Sequence, residues 1–161
     1  GDGALGLLAA QGQVPDPDGF LAGRYRLPRP RLALGMALHG IAHAAMDVSD
    51  GLVQDLGHLC RAAGLGATIE AARVPLSPAA RAAVASGGPD LLRRCLTGGD
   101  DYELLLAVPD SAEPALRAAA AASGVKVARI GRFAPGPARV AVIGADGTEW
   151  PLGPGGWSHF A

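Results

Sequence analysis

Asp47-Val48-Ser49-Asp50-Gly51-Leu52 and Thr97-Gly98-Gly99-Asp100-Asp101-Tyr102-Glu103-Leu104 are the stretches on which the fold of this chain turns. Each is acidic, carries glycine and lies where one kind of secondary structure gives way to another. Ahead of the first, Ala44 to Val48 reads as a short strand. Beyond it, Leu52, Val53, Leu56, Leu59 and Cys60 fall on one helical stripe that Gly64 ends, with Ser49 as the N-cap. The second stretch opens a run, Tyr102 to Val108, that reads as a buried strand. Glu103 sits among apolar neighbours there, and an acid in that setting needs a partner or a wet edge.

Outward from these two points the pattern is irregular. Gly1 to Gln11 reads as a loop running into a helix through Leu5, Leu7 and Leu8, and 12–30 reads as loop because Pro15, Pro17, Gly19, Pro28 and Pro30 interrupt it. Pro30 suits the first turn of a helix to about His43. Ala67 to Ala72 reads as a strand, Ser77-Pro78 as the cap and first turn of a helix to about Ser86, and Leu91, Leu92 and Cys95 as a further short helix. Asp110 or Ser111 caps a helix through Ala122 that Gly124 closes. Val125 to Ile130 and Arg139 to Ile143 read as strands, and Asp146-Gly147 as a tight turn. Irregular alternation of this kind predicts one α+β domain over 1–161, with helices packed on a mixed β-sheet, rather than a doubly wound fold.

At 161 residues the chain can bury about 70% of the surface its unfolded form exposes. A hydrophobic content of 49% with only 4% aromatic residues means a core of Ala, Leu, Val and Ile, with helices meeting through small residues. The net charge of -1 gives no electrostatic reason to expect nucleic acid or an acidic membrane as partner. Arg24, Arg26, Arg29 and Arg31 form a local exception that reads as a solvated face or scattered phosphate contacts. Cys60 and Cys95 lack Cys-x-x-Cys spacing and read as reduced, buried thiols of a cytoplasmic protein. No apolar run is long enough to span a bilayer. Residue 1 is Gly rather than Met, which suggests a piece of something longer.

The acidic stretches admit two chemistries. A helix N-terminus offers unpaired N–H groups and a positive dipole end to phosphate oxygens, but Asp47 and Asp50 would repel phosphate unless a cation lies between. Two like charges about 4 Å apart repel by about 1 kcal/mol in water and about 4 near a protein surface, so gathered carboxylates imply a bridging ion. Oxygen donors select Mg²⁺ over zinc. The plainer alternative leaves Ser49 a cap, Asp50 a first-turn residue, Asp47 an exposed strand end, and Asp100 and Asp101 turn residues. His39 and His43 are spaced i, i+4 but lack a third ligand, and read as packed or half-exposed histidines.

Taken together, the two stretches, with Gly1-Asp2-Gly3-Ala4-Leu5-Gly6-Leu7, Pro28-Arg29-Pro30-Arg31, Ile130-Gly131 and Gly156 to Phe160, resemble the thiamine-monophosphate kinase family over nearly the whole chain. The resemblance implies a C-terminal half with an AIR synthetase-like fold. Its preceding half would supply further Mg²⁺ ligands, much of the nucleotide site and a homodimer contact. That family transfers the ATP γ-phosphoryl group onto thiamine monophosphate. Carried over by position, Asp47 and Asp50 would be Mg²⁺ ligands, Ser49 an ATP contact, Asp100 a substrate contact and Trp157 a surface packed on the substrate. No residue takes a covalent role. Asp100 stands where the family usually has Glu, and Ser158 where it commonly has Asp. The alternatives are another ATP-dependent enzyme of the same superfamily and a non-catalytic ligand-binding module. The expectation for the fold is that Asp47, Asp50, Asp100 and Asp101 converge.

Overall fold

The computed structural model describes residues 1–152, so Trp157 and Ser158 lie outside the described residues. Its elements are α1 (Asp2–Ala10), α2 (Phe20–Arg26), α3 (Leu32–Ala37), β1 (Ala44–Asp47), α4 (Leu52–Ala63), β2 (Gly66–Glu70), α5 (Pro78–Gly87), α6 (Pro89–Thr97), β3 (Leu104–Ala107), α7 (Glu113–Ala122), β4 (Gly131–Ala134) and β5 (Val140–Ile143). The α+β expectation holds, with the strands divided between two sheets. One is an antiparallel pair of β1 and β3, and the other is mixed, with β2 antiparallel to β4 and parallel to β5.

Alternation along the strands explains why these pieces pack. On β3, Leu105 faces a central core with Val48, Leu52, Leu56, Ile69, Leu96 and Val142, while Leu104 and Leu106 face a second cluster built on Leu34, Leu38 and Ala120. The small ladder is therefore apolar on both faces and lies between α4 and the α3–α7 pair. A third cluster joins α1, α2, α5 and α6 through Leu5, Leu21, Ala80 and Cys95. The expected small-residue contact occurs here: a Cβ on Gly6 would stand 2.2 Å from the Leu21 carbonyl oxygen, so α1 and α2 meet backbone to backbone. Both thiols are buried and unpaired, and burial pushes Cys95 up to about 11. Among the described residues no helix is long and apolar enough to cross a membrane.

Several boundaries differ from the sequence reading for identifiable reasons. The segment 12–30 is not all loop, because both carboxylate oxygens of Asp16 take N–H groups in the first turn of α2, from Leu21 at 3.1 Å and Ala22 at 2.9 Å. The helix expected to reach His43 stops at Ala37, and Gly40 at φ 74° turns the chain, leaving His39 and His43 exposed. Ser77 caps α5 as expected, accepting the Ala80 N–H at 3.0 Å. By contrast, neither Asp110 nor Ser111 caps α7; a 3₁₀ turn over Asp110–Ala112 leads into it. Residues 125–130 do not form a strand. Val125 and Val127 pack on the Leu34 cluster and Ile130 on the central core, so the segment bridges two cores and pairing begins at Gly131.

Ile69 has no exposed surface and occupies the middle strand of the mixed sheet. Ile69→Ala is expected to lower unfolding free energy by about 2–5 kcal/mol in urea denaturation. A loss under about 1 kcal/mol would show that this position is not the core of the sheet.

Candidate functional site

The two acidic stretches lie side by side. Ladder pairing from Ala44↔Ala107 to Asp47↔Leu104 continues past the strand ends, with Val48 N–H to Glu103 O at 2.9 Å, Tyr102 N–H to Val48 O at 2.8 Å and Asp100 N–H to Ser49 O at 2.9 Å. Glycine is required at the closest points. A Cβ on Gly99 would lie 2.0 Å from Ser49 O, and one on Gly51 would lie 2.6 Å from Thr97 O. Gly51 also holds φ 136°, a conformation that L side chains rarely adopt.

Asp100 and Tyr102 adopt φ 64° and 50°, left-handed conformations that cost about 1–3 kcal/mol each outside glycine. The bonds to Ser49 and Val48 hold them there. Asp101, between them, is turned inward. It is 6% exposed and accepts the Gly3 N–H at 2.8 Å, with the nitrogen of Gly1 also on its carboxylate, so it serves the positive end of α1. The expected convergence of four aspartates is thereby corrected: Asp101 faces the α1 terminus. Asp47 is exposed at the end of β1, and Asp50 and Asp100 are half-buried. Asp47 lines a cavity of about 380 Å³ with Arg31, Leu32, Met36 and Tyr102.

The need of Glu103 for a partner is met twice. Arg31 grips it with Nε at 2.8 Å and Nη2 at 2.6 Å, and Arg24 Nη2 donates at 3.0 Å. The hydrogen bond to Glu103 raises the pKa of Arg31 above its ordinary value. Arg24 and Arg31 thus form an internal clamp rather than a solvated face, while Arg26 and Arg29 remain exposed. Arg24 also approaches Asp2 at 3.8 Å, and among the described residues its buried Nη1 has no partner.

Ser49 does not cap α4. The N-cap position falls on Gly51, and Oδ2 of Asp55, from within the helix, accepts the N–H groups of Ser49 at 3.0 Å, Asp50 at 3.1 Å and Gly51 at 3.1 Å. Burial raises the Asp55 carboxyl above its ordinary value, and the three N–H groups offset that only in part. The N–H groups of Ser49, Asp50 and Gly51 are therefore already bonded. Asp55 escaped the sequence reading; its only signal was an acid on the buried side of a helix. Gln54 Nε2 donates to Asp50 Oδ2 at 3.2 Å, and Asp50, Asp55 and exposed His58 bring potential ligand atoms within 4.8 Å of one another.

The family model described as AIR synthase related protein, C-terminal domain, matches residues 8–143. This chain belongs to that family. The AIR synthase related domain is 44% identical over 162 residues to thiamine-monophosphate kinase of Caulobacter vibrioides, covering 99% of this chain and 45% of that protein. It is 37% identical over 165 residues to thiamine-monophosphate kinase of Escherichia coli K12, covering 100% and 50%. Among solved structures, thiamine-monophosphate kinase from Stenotrophomonas maltophilia K279a superposes with a TM-score of 0.79 at 38% identity over 91% of this chain and 47% of that one. AaThiL complexed with AMPPCP and TMP superposes at 0.74 with 30% identity over 99% and 47%. Escherichia coli HypE, at 0.70 and 23% identity, shares the fold. The chain spans about half the length of the curated relatives it matches.

Because the atom nearest to a Gly99 Cβ is backbone, it cannot rotate away. Gly99→Ala is expected to destabilise the domain by about 1–3 kcal/mol and to speed amide exchange at Asp100 and Tyr102. A variant as stable as the parent, with unchanged exchange, would contradict this contact.

Proposed function

We propose that this chain is the C-terminal half of a thiamine-monophosphate kinase, which transfers the γ-phosphoryl group of ATP to thiamine monophosphate and yields thiamine diphosphate for thiamine diphosphate biosynthesis. The observation that carries this reading is the backbone pairing of the two acidic stretches, in a chain 44% identical to such a kinase. The AaThiL structure with AMPPCP and TMP supports ATP and the thiamine phosphate as the two ligands.

Asp47 and Asp50 offer only hard oxygen donors, one exposed and one half-buried, which fit Mg²⁺ and not zinc. Bound there, Mg²⁺ supplies neutralisation of the phosphate oxygens. Ser49 would contact ATP through its hydroxyl, since its N–H is taken by Asp55. Asp100 would contact the thiamine substrate from the neighbouring segment, with Trp157 packed on that substrate from beyond the described residues. Arg31, fixed by Glu103, places a permanent positive charge on the cavity that Asp47 lines. Direct transfer between phosphates needs positioning and charge compensation, and the reading assigns no covalent nucleophile. The other half of the longer kinase would provide the remaining Mg²⁺ ligands and nucleotide contacts, in a cytoplasmic homodimer.

The test is ATP-dependent formation of thiamine diphosphate by the intact kinase, followed chromatographically. Asp47→Asn and Asp50→Asn are each expected to lower kcat by about 100-fold or more, by analogy with loss of one group that stabilises transition-state charge. The isolated 161 residues are expected to form no product. Full turnover in both variants, or preference for a ribonucleotide or selenide in a substrate panel, would overturn the assignment.

A further inference from the structure

The turn from β1 into α4 directs its backbone donors inward. A single oxygen of Asp55 gathers three successive N–H groups, those of Ser49, Asp50 and Gly51, and its side chain is only 2% exposed. The Asp55 N–H returns to Gly51 O at 2.9 Å, so carboxylate and amide of one residue grip the turn from both sides. Glycine-rich turns at helix N-termini commonly present such donors to phosphate. Here the Asp55 carboxylate already occupies the N–H groups of residues 49–51, which leaves Ser49 and Asp50 to act through their side chains.

We propose that Asp55 is a positioning residue for the divalent-cation site of Asp47 and Asp50. This inference rests on the reading of those two residues as Mg²⁺ ligands. By fixing the three peptide groups between and beside the ligands, Asp55 sets the path of the backbone that carries Asp50 relative to Asp47. Gln54, one residue earlier on α4, bonds to the Asp50 carboxylate itself, so consecutive residues of one helical turn hold both the backbone and the side chain of Asp50. The inward donors also take up the amides of residues 49–51, so at these three residues nucleotide would be met by the cation and by the Ser49 hydroxyl rather than by backbone N–H groups. A purely structural cap would stabilise α4 without affecting ion affinity, and the two roles separate by measurement.

In the intact kinase, binding of Mn²⁺ as a probe for Mg²⁺ is measured by electron paramagnetic resonance for the parent, Asp47→Asn and Asp55→Asn, with amide hydrogen exchange over residues 49–51. Asp55→Asn keeps the size of the side chain and removes its charge. The expected result is a folded protein whose exchange accelerates at residues 49–51. Mn²⁺ affinity at the sites weakened by Asp47→Asn should fall about 10- to 100-fold, the range typical when an outer partner of a metal ligand is lost. Unchanged Mn²⁺ affinity in folded Asp55→Asn, alongside weakened binding in Asp47→Asn, overturns the positioning role and leaves the ligand assignment standing. Unchanged affinity in Asp47→Asn overturns both. If Asp55→Asn does not fold, Asp55→Glu, which keeps the charge and lengthens the arm by one methylene, is measured in its place: weakened Mn²⁺ affinity supports the proposal, and unchanged affinity overturns it.

Discussion

The carbonyl oxygen of Ser49 is the point on which the site depends. It accepts the N–H of Asp100 and abuts Gly99 so closely that no side chain fits there. That contact joins residues 50 positions apart in the chain, at the place where β1 has ended and α4 has not begun. Carboxylates repel one another, and a flexible chain would let them separate. Backbone hydrogen bonds within a close-packed frame prevent it, since neither peptide group can retreat without breaking the ladder behind it.

The frame is held on three sides by paired acids, two of them buried and Glu103 partly exposed. Asp101 meets the start of α1, Glu103 meets Arg24 and Arg31, and Asp55 meets the turn before α4. Asp101 and Asp55, both buried, sit beside donors able to compensate them, as burial of charge demands, and Glu103 is paired with two guanidinium groups at a wetter edge. These acids shape the site from behind. Among the other acids of the two stretches, Asp47 is exposed and Asp50 and Asp100 are half-buried.

Local features were legible in the sequence, and long-range ones were not. The Ser77-Pro78 cap, the apolar stripe of α4 and the strand beginning at Ala44 depend on neighbours a few residues away, and all three appear, the strand ending at Asp47, one residue short of the reading. Glu103 announced that it needed a partner, yet nothing local identified Arg24 and Arg31, 79 and 72 positions away. Asp100 and Asp101 look equivalent in the sequence. Left-handed backbone on either side of Asp101 sends the two carboxylates in different directions, and the distant contacts with 48–49 and with the start of α1 enforce it. The α2 helix was hidden for a related reason: seven residues behind a run of proline and glycine carry little periodic signal, and its first turn is held by Asp16 from outside the helix.

The left-handed conformation at position 100 has a consequence for the side chain it carries. Short acids and amides tolerate that region of backbone space better than longer side chains do. Compared with a glutamate at the same position, aspartate therefore gives up one methylene of reach and gains an easier backbone. The exchange conserves charge and shortens the arm that position 100 extends from the Gly99 turn.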